Sequence, residues 1–267
     1  GSEMCIRDSS RVTRLLFRLI YKILLMGSIN ISKLYTYLLK SGRPQALDHT
    51  HIISTGLKGD REFALIDDDG RLLTAREYPT LFQVESKIVD DKIYFAYKSD
   101  SIIVPRKTLY SRERMGTLFG QAAGGFELDN RLQKWFSKCM GVNCNVIEIK
   151  EIYMRQMESQ PHDITYTDVA PILLTSEASL KALNNRMAIP VGMNRFRPNL
   201  VVSGSLAFAE DDWKYLKIGD CEFEISHHCP RCVLTTIDPS NTETVSYTHL
   251  RAHETPEHRG LAGMSVK

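Results

Sequence analysis

In the run His227-His228-Cys229-Pro230-Arg231-Cys232, two thiols, two imidazoles and a guanidinium fall within six positions. The alternation of Cys221, Phe223 and Ile225 just before it predicts a half-buried strand that carries Cys229 to a fixed point. A thiolate beside Arg231 and two histidines is expected to have a depressed pKa, which suits metal ligation or nucleophilic attack. Cys-x-x-Cys alone leaves several chemistries open. A zinc-stabilised, non-enzymatic binding module would use His227, His228, Cys229 and Cys232, since the other close pair, Cys139 and Cys144, has no histidine nearby. A thioredoxin-like redox pair would open a helix, whereas Val233 to Ile237 reads as strand. Two inert, half-buried cysteines are a third reading.

The surrounding elements are mostly short strands. Phe63 to Asp67, the turn Asp68-Asp69-Gly70 and Leu72 to Ala75 predict a hairpin. Further runs at Phe82 to Val84, Lys92 to Tyr97 and Ser101 to Val104 suggest a β-barrel or sandwich over 31–128. Leu128, Leu132, Trp135 and Phe136 predict a helix from Glu127 to Met140, stopped by Gly141. Cys144 to Ile149 reads as strand, Ile152 to Asp163 as polar loop, and Ser176 as the N-cap of a short helix. The expected class is α+β, mainly β.

Composition bounds the partners. With 43% apolar and 25% charged residues in 267, the chain can bury a core in one large domain or two small ones. A net charge of +2 gives no support to nucleic-acid binding. Six irregularly spaced cysteines make no disulfide framework, which favours a reducing compartment.

Both ends read as foreign to the fold. Residues 1–10 and 244–267 lack apolar periodicity and resemble translated adapter sequence, so they are expected to lie outside a truncated C-terminal domain ending at residue 243. His249, His253 and His258 are discounted with them. Between Arg11 and Met26, basic residues at 11, 14, 18 and 22 oppose Leu15, Leu16, Leu19, Ile23 and Met26. The segment falls short of the ~20 apolar residues of a membrane span and reads as an interfacial or targeting helix over 11–27.

Several separated motifs agree in order with one family. Asn194-Arg195-Phe196-Arg197-Pro198-Asn199, Phe208 to Trp213, Ile218-Gly219-Asp220, Cys229-Pro230-Arg231-Cys232 and Thr235 to Pro239 resemble the molybdenum cofactor sulfurase C-terminal (MOSC) domain. Tyr37 to Ser41, Gly56 to Arg61 and Leu73 to Arg76 resemble the β-rich domain that precedes it. The likeness is to the amidoxime-reducing branch of that family. It implies a MOSC N-terminal domain over 28–150 and a β-barrel MOSC catalytic domain over 151–243. It also implies a molybdenum-pterin cofactor with Cys229 as metal ligand. Lys40, Ser41, Arg61, Arg197 and Asn199 would hold the cofactor, and Asp168 would orient water or a substrate proton near the metal. Cys232 would be structural. The implied activity is reduction of N-hydroxylated compounds, namely amidoximes, hydroxylamines and N-oxides. No Gly-rich dinucleotide fingerprint and no haem or iron–sulfur cysteine run occurs, so electrons would come from a partner, which the resemblance implies is a cytochrome b5 type carrier and its NADH reductase. The implied location is the mitochondrial outer membrane, with attachment through 11–26, or else the cytoplasm. Other members of the family suggest a Cys229 persulfide that hands sulfur on, or a bacterial-type relative with an appended iron–sulfur domain. Leu38, Gly42, Pro44, Val169 and Ala170 depart from the family pattern.

Overall fold

The computed structural model describes residues 28–106, 112–156, 162–229, 233–244 and 261–266. The expectations for 1–27 and for Pro230, Arg231 and Cys232 therefore lie outside the described residues. Short alternating runs give a mainly β structure with two α-helices among the described residues. In the N-terminal part, Phe63–Asp67, Cys144–Glu148, Gln121–Glu127 and Glu113–Leu118 form a four-stranded antiparallel sheet. The first two strands are buried at every position. Glu85–Val89, Lys92–Tyr97 and Asp100–Pro105 make a three-stranded meander.

Between these sheets lies the helix Asn130–Met140, which begins later than Glu127 because Asp129 caps it, its side chain accepting from Arg131 N at 2.8 Å. Its Phe136 meets Phe95 edge-on, ring centroids 5.0 Å apart, and both are fully buried.

The second layer is a seven-stranded sheet in the order Tyr215–Ile218, Cys221–His228, Leu261–Val266, Ile172–Ser176, Leu200–Ser203, Asn30–Thr36 and Gln45–Leu47. Ile172–Ser176 and Leu200–Ser203 are parallel, joined through the helix Glu177–Asn184, whose N-cap is Ser176 as expected. The N-terminal part of the chain also contributes to this sheet. Its first strand, Asn30–Thr36, pairs with Leu200–Ser203, so the N-terminal part is joined by hydrogen bonds to the sheet of the C-terminal part.

Two expectations need correction. The fold does not end at 243: Leu261–Val266 is an inner strand between Cys221–His228 and Ile172–Ser176. Its Met264 is fully buried beside Ile172 and Phe223. A six-residue strand of small and medium side chains behind a long polar run leaves too little periodicity to be seen in the sequence. Val233 to Ile237 is not strand either. Val233–Thr236 is a 3₁₀ helix, with the Thr236 hydroxyl donating back to Val233 O at 2.6 Å.

Smaller differences have the same local origin. Phe82 lies in the 3₁₀ helix Pro79–Gln83, started by proline. The second arm of the Asp68-Asp69-Gly70 hairpin reaches only a bridge, Ile66 with Leu72, and one bond from Leu73 N to Leu65 O at 2.9 Å. Within the predicted loop, Arg155–Gln156 pairs with Asp163–Ile164.

One close approach links this frame to the site. The Tyr166 phenol donates to Gly124 O at 2.7 Å. A Cβ on Gly125 would lie 2.5 Å from the Tyr166 hydroxyl oxygen and 2.6 Å from Glu148 O. Gly125→Ala is expected to cost about 1–3 kcal/mol of stability through overpacking against a backbone that cannot yield. Urea unfolding checks this, and an unchanged midpoint would contradict it.

Candidate active site

A cavity of about 450 Å³ opens between the two parts of the chain. Lys40, Ser41 and Arg61 reach it from the N-terminal part, and Asp168, Arg197, Asn199 and Cys229 from the C-terminal part. All seven residues singled out in the sequence thus line one hollow, although 189 positions separate the first from the last.

Turns rather than regular elements aim them. Ser41, Arg61 and Arg197 have φ of 63°, 49° and 54°, a left-handed backbone that costs a non-glycine residue roughly 1 kcal/mol or more. Fixed bonds hold each turn. Lys40 N donates to Phe63 O at 2.7 Å, Arg61 N to Tyr37 O at 2.7 Å, and Ala75 N to the Ser41 hydroxyl at 3.0 Å. Arg197 caps the 3₁₀ helix Met193–Phe196. Cys229 directly follows the strand Cys221–His228, as its alternation predicted, and is a half-buried thiol.

Asn199 is the joint between these pieces. Fully buried, its Oδ1 accepts from Arg61 Nη1 and from Leu173 N, each at 3.1 Å, and its Nδ2 donates to Tyr35 O at 3.2 Å. It ties the Arg61 turn to two strands of the seven-stranded sheet.

The two guanidinium groups share one aromatic ring. Arg61 and Arg197 each place Cζ 4.2 Å from the centroid of Tyr37, whose hydroxyl donates to Pro198 O at 3.1 Å. Arg61 also pairs with the buried carboxylate of Asp60. Among the described residues Arg197 has no carboxylate partner and its buried Nη2 no hydrogen bond, while its Nη1 donates to Gly42 O at 2.8 Å. The electrostatics follow from this difference. Burial pulls both guanidinium pKa values down, but Asp60 reverses the effect on Arg61, whereas Arg197 falls to about 10. Burial likewise raises the Tyr37 phenol, so the ring stays neutral between its two cations.

Lys40 and Asp168 form the second centre. The Lys40 ammonium, almost completely buried, donates to Asp168 Oδ1 at 2.6 Å and to Tyr166 O at 2.8 Å. Burial lowers the Lys40 pKa although Asp168 opposes it. For Asp168, whose side chain stays 44% exposed to the cavity, burial pushes upward but Lys40, Arg61 and Arg76 prevail and hold the carboxyl below its ordinary value of 3.8.

Three further cations line the cavity that were not singled out in the sequence. Arg76 stands 4.0 Å from Asp168 Oδ2 and stacks on Phe119. Arg155, buried, donates to Thr167 O at 2.7 Å and Gln121 Oε1 at 2.6 Å. Arg195 donates to Thr236 O at 3.0 Å and pairs with Asp238 at 2.7 Å, which pins the helix that follows the cysteine run. Arg76 ends a quoted motif, and Arg195 stands inside one. Arg155, in a run read as loop, carried no signal.

Among the described residues, six cationic side chains therefore face the cavity against one lining carboxylate, Asp168. Such a hollow selects an anion, and Arg197 Nη2 offers it an unused buried donor. A thiol on the same wall adds a soft ligand.

Comparison with known proteins gives the family. Residues 28–143 match the MOSC N-terminal beta barrel domain and residues 161–266 the MOSC domain. The chain belongs to the MOSC domain family. It is 33% identical over 225 residues to the mitochondrial amidoxime reducing component 2 of Rattus norvegicus, covering 78% of this chain and 67% of that one. To the Bos taurus protein of the same name it is 32% identical over 223 residues, covering 78% and 66%. The mitochondrial amidoxime-reducing component 1 of Homo sapiens is 29% identical over 225 residues, with coverage of 78% and 66%. The MOSC chain thus spans about two thirds of the length of the curated relatives it matches. Those relatives are named mitochondrial; among the described residues no helix is long and apolar enough to cross a membrane. The molybdenum-pterin cofactor that the family resemblance implies, a metal–dithiolene pterin ending in a phosphate, fits the donor set here: an excess of cations, the buried Nη2 of Arg197 and a thiol.

The ion pair gives a pH test. The ionised Asp168 carboxylate contributes fully above its ordinary value of 3.8, and that contribution is lost as pH falls through the depressed value. Lys40→Met removes the largest opposing charge, so the Asp168 pKa is expected to rise in that variant. Carboxyl-carbon NMR titration reads it directly; an identical Asp168 titration in both proteins would contradict the pairing.

Proposed function

We propose that this MOSC chain is a molybdenum cofactor-dependent reductase of N-hydroxylated compounds, supplied with electrons by a cytochrome b5 type carrier and its NADH reductase. The observation that carries the reading is the Cys229 thiol on the wall of the same cavity as Lys40, Arg61 and Arg197. Arg61, Arg197 and Ser41 would hold the pterin phosphate, and Cys229 would ligate the metal. When bound, the cofactor supplies the two-electron redox chemistry that takes oxygen from the substrate.

The chain's own residues account for orientation and protons. In the overall change an amidoxime, R–C(NH₂)=N–OH, takes up two electrons and two protons to give the amidine and water. Asp168, held ionised, accepts from a substrate N–H and orients the head group. Lys40, its pKa lowered by burial, donates to Asp168 at 2.6 Å and can return a proton through it. Asn199 keeps the Arg61 turn and the sheet in register, so the phosphate contacts and the thiol stay at fixed separation.

The full chain, expressed with molybdenum cofactor and assayed on benzamidoxime with a b5-type donor, is expected to couple NADH oxidation to amidine formation. Cys229→Ala should abolish turnover, since the metal would lose its protein thiolate, while Cys232→Ala retains much of it. Equal losses, or one zinc per chain with neither molybdenum nor pterin, would overturn the assignment.

A further inference from the structure

The hairpin Glu113–Leu118 and Gln121–Glu127 turns on two residues, Phe119 and Gly120, with Leu118 paired to Gln121. Their φ values are 53° and 80°, so both central residues are left-handed, as a type I′ turn requires. Asn or Asp ordinarily fills the first position because it tolerates that backbone; a phenylalanine there is a steric outlier. Nor does the ring repay its strain by burial, since Phe119 remains 46% exposed.

It is instead aimed at the cavity. Phe119 lines the hollow, with Arg76 Cζ 4.4 Å and Lys40 Nζ 5.2 Å from its ring centroid. The same two cations contact Asp168, Lys40 at 2.6 Å and Arg76 at 4.0 Å. Ring and carboxylate are therefore neighbours through shared partners. Of the nine non-glycine residues with positive φ among those described, four line the cavity: Ser41, Arg61, Arg197 and Phe119. The first three carry polar donors. Phe119 brings an apolar face, and Val169, 36% exposed, is another apolar side chain of the lining.

We infer that Phe119 is a specificity-determining residue that stacks the flat apolar body of the substrate while Asp168 takes its polar head, so that planar aryl N-hydroxy compounds are preferred over small ones. This rests on the proposed reductase reading. The turn is strained because the ring serves a ligand: at this position an asparagine would suit the backbone better and bind the substrate worse.

That opposition gives the experiment. Cofactor-loaded wild type, Phe119→Asn and Phe119→Tyr are compared for kcat/KM on benzamidoxime and on hydroxylamine, which has the N–O bond but no flat body, together with thermal midpoints. Phe119→Asn is expected to lower the benzamidoxime to hydroxylamine ratio by about tenfold or more, chiefly in KM, without lowering the midpoint. Phe119→Tyr should keep the ratio. An unchanged ratio in Phe119→Asn, or a lowered midpoint with both substrates falling together, would overturn the inference. Should wild type turn over neither compound, the reductase reading fails by itself. Calorimetry of benzamidoxime binding to Cys229→Ala, with and without Phe119→Asn, then still decides: about tenfold weaker binding supports the stacking role, and no binding or equal binding refutes it.

Discussion

The structure depends on holding six cations around one small cavity with little negative charge to balance them. In a poorly solvated hollow such charges repel and lose hydration, so each needs a fixed compensating group. Three carboxylates help: Asp168 on the wall, with Asp60 and Asp238 behind Arg61 and Arg195. Backbone oxygens do most of the rest, those of Gly42, Tyr166, Thr167 and Thr236 each accepting from one cation. The Tyr37 ring adds a surface to which Arg61 and Arg197 both adhere, a contact worth ~2 kcal/mol each when desolvated. The result is a preorganised anion site in which the buried Arg197 keeps Nη2 in reserve.

Such an arrangement explains why the two parts of the chain interpenetrate. Most of these carbonyls face the cations from turns, and turns are fixed by what they join. Asn30–Thr36 crosses into the C-terminal sheet and brings the Tyr37 to Ser41 segment with it, so Lys40 meets Tyr166 and Asp168 across 126 and 128 positions of sequence. Gly125 admits Tyr166 by lacking a Cβ, and Asn199 fastens the Arg61 turn to the sheet. Left-handed residues at 41, 61, 119 and 197 mark where local preference yields to the site.

Much of this was legible in particular residues. The strands Phe63–Asp67, Lys92–Tyr97 and Cys144–Glu148 and the cap Ser176 follow from short apolar runs and local hydrogen bonding that the sequence shows, whereas the cap Asp129 went unread and the helix was expected from Glu127. The seven site candidates came from motif order, and the cavity gathers them. What escaped depends on distance. Arg155 is a cavity residue only because Thr167 and Gln121 come to meet it, and Leu261–Val266 becomes an inner strand only because a gap beside Ile172–Ser176 accepts it. Val233 to Thr236 looks extended by composition, yet Arg195 claims its carbonyls and the hydroxyl of Thr236 turns inward. Phe119 is legible only in retrospect, as a large ring where a hairpin asks for asparagine.

The central claim is that the Cys229 sulfur faces a metal held in this cationic hollow. Molybdenum K-edge absorption of the purified, cofactor-loaded chain tests it most directly. The account predicts two dithiolene sulfurs and a third sulfur at the metal, the third absent in Cys229→Ala while molybdenum remains detectable. A metal shell with the same sulfur count in both proteins would contradict it.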